Sequence, residues 1–258
     1  MREFEDGKFV IMATRNGVVK KTELKAFSNV RTAGIIALSI DTGDDLLSAR
    51  LTDGAQDIII ATHMGKIIRF AEEDVRPMGR SARGVRGIKL RANDYVVEMD
   101  VLAGATHILT ATENGYGKRT EIPLYRKQSR GGMGIIDIKT TPRNGMVVGV
   151  KAVAEEDQIM VSTSGGMVAR MRTRRISIVG RNTQGVRLMV LDAGDKIASI
   201  AKVAEKSDDG GQEIAPPEPT AEELDQLRKE AEQQVEEPEE TGPGDAEPED
   251  PGKEGSDS

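Results

Sequence analysis

The sequence predicts an all-β fold of the propeller kind, four-stranded blades with four blades present, and three observations carry that expectation. First, an apolar strand, a glycine turn and a second strand with a basic residue occur four times. The copies are VIMATRNGVVKK (Val10 to Lys21), IIIATHMGKIIR (Ile58 to Arg69), HILTATENGYGKR (His107 to Arg119) and QIMVSTSGGMVAR (Gln158 to Arg170). Second, superposing them stacks Thr14, Thr62, Thr112 and Thr163 in one column, with Gly17, Gly65, Gly115 and Gly166 three residues later. The threonines recur after 48, 50 and 51 residues, the period of a repeat architecture. Third, a four-stranded unit of that length cannot bury its apolar face alone, so such units stack side by side as blades. The chain has no tryptophan and only 3% aromatic residues, which sets aside Trp-Asp and kelch blades.

In the first unit, Phe9 to Thr14 is a run of β-formers, Arg15-Asn16-Gly17 is hairpin-turn chemistry, and Val18 to Thr22 is the return strand. The polar stretch Glu23 to Ala33 leads to a third strand expected over Ile35 to Ile40. Asp41-Thr42-Gly43-Asp44 turns into a fourth strand, Leu46 to Leu51, and Asp53-Gly54 closes the unit. The second unit places Ser81 to Gly87 ahead of its third strand and Tyr95 to Leu102 as its fourth. The third has Gln128 to Gly134, then Ile135 to Ile138, the turn Arg143-Asn144-Gly145 and Met146 to Val153. The fourth has Arg181 to Gly185, Val186 to Leu191, Ala193-Gly194-Asp195 and Ile197 to Val203. The expected units are 9–54, 57–103, 106–154 and 157–204, a body of residues 1–204.

From about Glu205 the composition turns to Glu, Asp, Pro and Gly, which cannot bury enough apolar surface to order itself, so 205–258 reads as an acidic disordered tail. One short helix is expected inside it over 220–233. Thr220 and Glu223 form a capping box there, and Leu224, Leu227 and Ala231 share a face. The net charge of -7 hides a strong asymmetry. Residues 1–204 carry 32 Lys plus Arg against 23 Asp plus Glu, while the tail carries 4 against 20. A basic body of this kind suits a polyanion partner, and the tail is an internal competitor for it.

Function classes fall away in turn. With no cysteine and with His63 and His107 in separate repeats, neither a disulfide framework nor a metal site is expected. The N-terminus lacks the apolar core of a signal peptide and no apolar run approaches a membrane span, so a cytoplasmic location is expected. No Ser-His-Asp spacing appears, and Tyr95, Tyr116 and Tyr125 have no acidic metal cluster around them, so no catalytic residue is assigned. The Gly-rich stretches Arg83 to Gly87 and Arg130 to Gly134 lead into strands and lack the Lys-Ser/Thr of a phosphate loop.

The basic residues are the informative set. On the second strands they are Lys20, Lys21, Lys66, Arg69, Lys118, Arg119, Arg170 and Arg172, with Arg174 and Arg175 just beyond. The loops add Arg31, Arg80, Arg83, Arg86, Arg126, Lys127, Arg130, Arg181 and Arg187. The expectation is that the second-strand cations point away from the core and that the repeat joins them into a positive rim. A rim of that shape suits duplex DNA held through its phosphates. Aromatic residues are too scarce for base-stacking platforms.

Four stretches, TATENGYGKRT (Thr110 to Thr120), ISIVGRNTQGV (Ile176 to Val186), TTPRNGMVVG (Thr140 to Gly149) and GVRGIKL (Gly84 to Leu90), closely resemble the C-terminal domain of bacterial DNA gyrase A. The resemblance covers residues 1 to about 204, and the acidic tail also fits. It implies a β-pinwheel, a disc whose blades exchange strands and whose basic perimeter wraps duplex DNA, so that the enzyme introduces negative supercoils. The implied partners are duplex DNA, the rest of gyrase A, and gyrase B. No membrane or small-molecule substrate is implied, and no cofactor in this chain, ATP and Mg belonging to other parts of the complex. Members of the family usually have six units, and this chain aligns with the last four. The box QRRGGKG of the first unit is missing, and in its in-register relative QSRGGMG (Gln128 to Gly134) Ser129 and Met133 replace two basic positions. Without a breakage-reunion domain the chain reads as a non-catalytic part of a type II topoisomerase. The alternatives are the homologous part of topoisomerase IV, with degenerate blades, and a propeller serving as a protein-interaction platform.

Overall fold

A computed structural model describes residues 4–30, 32–203 and 215–236, of which 231–236 are described by backbone alone. Within each unit the expected hairpin forms. Strands β1 (Phe9–Thr14) and β2 (Val18–Glu23) pair antiparallel, and β3 (Leu46–Thr52) lies on the other side of β1. The second unit repeats this with β4 (Asp57–Thr62), β5 (Lys66–Ala71) and, after the short β6 (Val85–Arg86), β7 (Val96–Val101). The third has β8 (His107–Thr112), β9 (Tyr116–Glu121), β10 (Ile135–Ile136) and β11 (Val147–Val153). The fourth has β12 (Gln158–Thr163), β13 (Val168–Arg172), β14 (Val186–Arg187) and β15 (Ile197–Lys202).

The threonine and glycine columns explain the turn. Each glycine amide donates to the threonine carbonyl three residues back, as Gly17 does to Thr14 at 3.0 Å. In three units the threonine hydroxyl also accepts the amide four residues on, from Val18, Lys66 and Met167, each at 3.2 Å. Two bonds thereby fix the reversal and the register of the hairpin that follows.

Where the structure departs from the sequence reading is the third strand. The segments expected as strands Ile135–Ile138 and Val186–Leu191 shorten to two residues, and they do not join their own unit's sheet. β6 pairs with β2, β10 with β5, and β14 with β9, so each outer strand is contributed by the following unit. This is the strand exchange implied by the resemblance. The expected strand Ile35–Ile40 is not a strand, because among the described residues no preceding sheet offers it an edge, and Ile36 stays 69% exposed. For the converse reason the sheet of β12, β13 and β15 has three strands among the described residues.

The blades are joined by three apolar clusters, and the pleat decides who faces whom. Ile58 and Ile60 point toward the first blade and meet Ile11, Ala13 and Val19. Ile59 and Ala61, on the opposite face, meet Ile108, Tyr125 and Val150 of the third. Leu109 and Ala111 face the fourth blade, against Ile159, Val161 and Met171. A strand packed on both faces needs an unbroken apolar run, which is why IIIA shows no alternation. Each such side chain contributes roughly 1.5–3 kcal/mol by leaving water. The innermost strands add a repeated bond: the amides of Val96, Val147 and Ile197 donate to the carbonyls of Arg15, His63 and Glu113 in the preceding unit.

The hairpin glycines also carry the joint between blades. The carbonyl of Gly17 accepts the amides of Gly87 and Ile88, that of Gly65 the amides of Asp137 and Ile138, and that of Gly115 the amides of Leu188 and Met189. Gly65 has φ +80, and a Cβ there would lie 2.3 Å from the Ile138 carbonyl oxygen, whereas Gly166 has φ +88 with nothing within 4 Å. Alanine at either site costs about 1–2 kcal/mol for the left-handed backbone, but only at Gly65 does it also push a blade away. Gly65→Ala is therefore expected to lose about 1–3 kcal/mol more than Gly166→Ala in urea unfolding. Equal losses in the two variants would mean that the turn does not hold the joint.

Candidate nucleic-acid interface

The structure divides the basic residues into two populations with different surroundings. The expectation that the second-strand column points outward is not met: Lys20 and Lys118 are 0% exposed and Lys21 and Arg119 4%. Adjacent cations leave opposite faces of β2 and of β9, and a segment of the following unit meets the head group on each face, so both are enclosed.

One cation on each of the first three second strands clasps the following blade, enclosed at Lys21 and Arg119 and half-buried at Arg69. Lys21 Nζ donates to the Glu72 carbonyl (3.0 Å), Arg69 Nη1 to those of Ile122 (3.2 Å) and Tyr125 (3.1 Å), and Arg119 to those of Ile176 (2.8 Å) and Arg174 (3.1 Å). These carbonyls sit at or beside the 3-10 turns Glu72–Asp74, Ile122–Leu124 and Thr173–Arg175, where a short turn leaves acceptors unmatched. Carboxylates or amides on the neighbouring strand steady the guanidinium: Asp57 holds Arg69 at 2.6 Å, and Gln158 holds Arg170 at 2.5 Å.

Lys20 and Lys118 do related work at alternate joints. Lys20 Nζ bonds the carbonyls of Ala37 and Arg80, and Lys118 Nζ those of Asp137, Gly180 and Arg181. Asp137 is itself enclosed, accepting from the hydroxyls of Thr110 (2.7 Å) and Tyr125 (2.6 Å), with Lys118 at 3.9 Å. Burial pushes the Lys118 ammonium down to about 8, against the opposing pull of Asp137, and burial first and Asp137 second raise the Tyr125 phenol.

A further column joins neighbours in the other direction. Arg80, Arg130 and Arg181 are half-buried and donate to the carbonyls of Ile36 (3.3 Å), Arg86 (3.2 Å) and Ile136 (3.1 Å), each in the preceding unit's outer segment. Lys66, Arg69, Arg170 and Arg172 are also half-buried, and Arg31 lies outside the described residues.

The exposed members of the sequence-derived set are Arg83, Arg86, Arg126, Lys127, Arg174, Arg175 and Arg187. They lie on the outer strands, in the 3-10 turn Thr173–Arg175 and on the loops after the 3-10 turns. Arg86 and Arg187 hold the same place on β6 and β14, and Lys127 is paired with Asp57 at 2.7 Å while remaining 54% exposed. Sequence reasoning missed Lys89 and Lys139, both exposed and both five residues after the glycine that precedes the outer strand, Gly84 and Gly134. That constant offset was the available signal. It also missed Arg143, which lies over the Tyr116 ring at 4.9 Å with Arg187 at 5.4 Å from the same ring. A further aromatic contact is a stack of Arg15, Tyr95 and His63 across the first two blades, with His63 Nδ1 2.9 Å from the Val147 carbonyl.

Blades that borrow their outer strand from the next unit, with cations left exposed along the outer strands and loops, define a strand-exchanging repeat protein of the β-propeller class. The family described as DNA gyrase C-terminal domain, beta-propeller, matches residues 8–53, 56–103, 106–154 and 157–204. The chain belongs to this family. The DNA gyrase A protein of Klebsiella oxytoca is 49% identical over 209 residues, covering 81% of this chain and 24% of the relative. The chain thus spans about a quarter of the length of that relative. A solved DNA gyrase A C-terminal domain superposes with a TM-score of 0.72 at 26% identity, covering 79% of this chain and 68% of that one. The C-terminal domain of DNA topoisomerase IV does so with 0.74 at 26% identity, over 79% and 64%.

The enclosed lysine makes stability depend on pH in a defined direction. Below about pH 8 Lys118 is charged in folded and unfolded chains alike, and its burial weighs fully against folding. Between there and the unfolded value near 10.4, the folded chain has shed a proton that the unfolded chain keeps, so stability rises with pH. Relative to Lys118→Met, the parent is expected to gain about 2 kcal/mol of unfolding free energy from pH 8 to pH 10. Urea titrations at both pH values read it, and a constant difference would contradict it.

Proposed function

We propose that the body of this chain binds and wraps duplex DNA on its outer perimeter, as the DNA-wrapping part of a gyrase A protein supporting ATP-dependent negative supercoiling. The observation that carries the reading is the recurrence of exposed cations at equivalent places in different units, Lys89 with Lys139 in the second and third and Arg86 with Arg187 in the second and fourth. Spaced along one rim, they meet phosphates and not base edges, so binding is expected to be indifferent to sequence. The exposed cations Arg83, Arg126, Lys127, Arg174 and Arg175 extend the same rim. Lys20, Lys21, Lys118 and Arg119 are withdrawn from the rim, since an enclosed head group that already bonds carbonyls cannot reach a phosphate without opening a blade joint.

The rest of gyrase A, together with gyrase B, supplies the protein partners in this reading, with the cytoplasm and its nucleoid as the setting. ATP and Mg belong to those other parts, and this chain contributes no catalytic group. Gyrase is favoured over topoisomerase IV by the high identity to gyrase A, since the two superpositions alone are nearly equal.

Fluorescence anisotropy with two unrelated duplexes at several salt concentrations tests the reading. If 6–10 phosphates are engaged, affinity should fall on the order of 10³- to 10⁵-fold between 50 and 200 mM salt. The double variant Lys89→Glu/Lys139→Glu should weaken both duplexes alike and flatten the logarithmic salt slope by about 0.9 for each phosphate no longer neutralised. A salt-independent affinity, or none, would favour a protein-interaction platform instead.

A further inference from the structure

Helix α1 (Ala221–Glu236) is seated on the body, and the manner of its seating is informative. The expected capping box is present: the Glu223 amide donates to Thr220 Oγ1 (3.3 Å) and the Thr220 amide to Glu223 Oε2 (3.0 Å). The leucines that share a face are not its most enclosed side chains, Leu227 being half-buried. Leu224 is 47% exposed, whereas Glu223 is 4% and Glu230 7% exposed. Residues 223, 226 and 230 fall on one face by their spacing of three and four, and that polar face is the one turned to the body.

Its partners lie at the junction of the third and fourth blades. Arg143 donates to Glu223 Oε1 at 3.1 Å and to Gln226 Oε1 at 2.5 Å. Glu230 takes the Gln184 side chain with one oxygen and the Gln184 backbone amide with the other, both at 3.0 Å. Gln184 is the second residue before β14, whose Arg187 donates to the Tyr116 hydroxyl at 2.9 Å and shares that ring with Arg143. The two carboxylates therefore occupy donors of the kind a phosphate uses, a guanidinium and a main-chain N–H in a glycine-containing loop.

We infer that α1 is a side-chain-specific latch: its Glu223 and Glu230 hold a stretch of the outer rim at Arg143 and Gln184 that duplex phosphates take when the helix is displaced. The inference rests on the duplex-binding reading above. It differs from competition by an acidic tail acting through net charge alone, because it assigns the effect to two enclosed carboxylates. A helix of this length is marginal in water by itself, so its amides are held only while it is docked.

Hydrogen exchange of the α1 amides, read by mass spectrometry on the full chain with and without a 30-base-pair duplex, tests this beside anisotropy. The free chain should protect α1, Arg143→Ala should abolish that protection, and saturating duplex should abolish it too. Glu223→Gln/Glu230→Gln should bind duplex roughly 5- to 150-fold more tightly, the usual span of coupling between two sites. Glu218→Gln/Glu222→Gln, the same charge change at exposed positions, should leave affinity near that of the parent. Equal gains in both pairs, α1 protection that persists with duplex bound, or an unprotected α1 in the free chain each overturn the latch. Protection that depends on Arg143 while no variant binds duplex would keep the seat and remove the duplex-binding reading instead.

Discussion

No sheet of this molecule can satisfy its own outer edge. A second strand ends a unit with one row of amides and carbonyls unpaired, and the 3-10 turn after it leaves further acceptors open. The next unit supplies a two-residue strand for the first need, as Val85–Arg86 does for Val18 and Val19. The cation on the second strand answers the other by reaching forward, from Lys21, Arg69 or Arg119, to the next turn's carbonyls. The apolar clusters between blades supply most of the driving force, but these polar links decide the spacing and order of the blades. Tyr125, Asp137 and Lys118 then form an enclosed network whose every member has a partner, the condition under which a buried charge is tolerated.

The two populations of cations give substitutions at chemically similar residues different meanings. Arg119 and Arg187 both come from basic positions on strands of one sheet, yet one is enclosed behind a 3-10 turn and the other stands on the outer strand. Loss of the first acts through the blade joint. Loss of the second acts at the surface, next to the Tyr116 ring and the seat of α1.

Much of the architecture was legible in the sequence because the turn chemistry is local. Thr14 and Gly17 fix a hairpin with bonds to residues three and four away, so the column could be read without knowing any neighbour. Strand exchange was not legible from spacing, since Ile135 and Ile136 look alike whether they pair within their unit or with Lys66 and Ile67 of the one before. The outward placement of Lys20 and Lys21 was misjudged for a related reason. Adjacent residues on a strand face opposite sides, and one side is solvent only where no neighbour covers it, whereas here both sides are covered. Glu223 and Glu230 were passed over because an amphipathic helix is read by its leucines, and here the polar edge does the docking.

Borrowed outer strands also bear on how such a chain is made. A ribosome releases β2 well before Val85–Arg86, and at about 5–20 residues per second the unfinished edge waits on the order of ten seconds. An uncovered edge invites pairing with other nascent chains, and lysines along an edge discourage it. The sequences VVKKTE of β2 and YGKRTE of β9 carry two cations each. Side chains that end as enclosed clasps thus serve first as guards, repelling neighbours on the polysome until the following unit arrives to cover them.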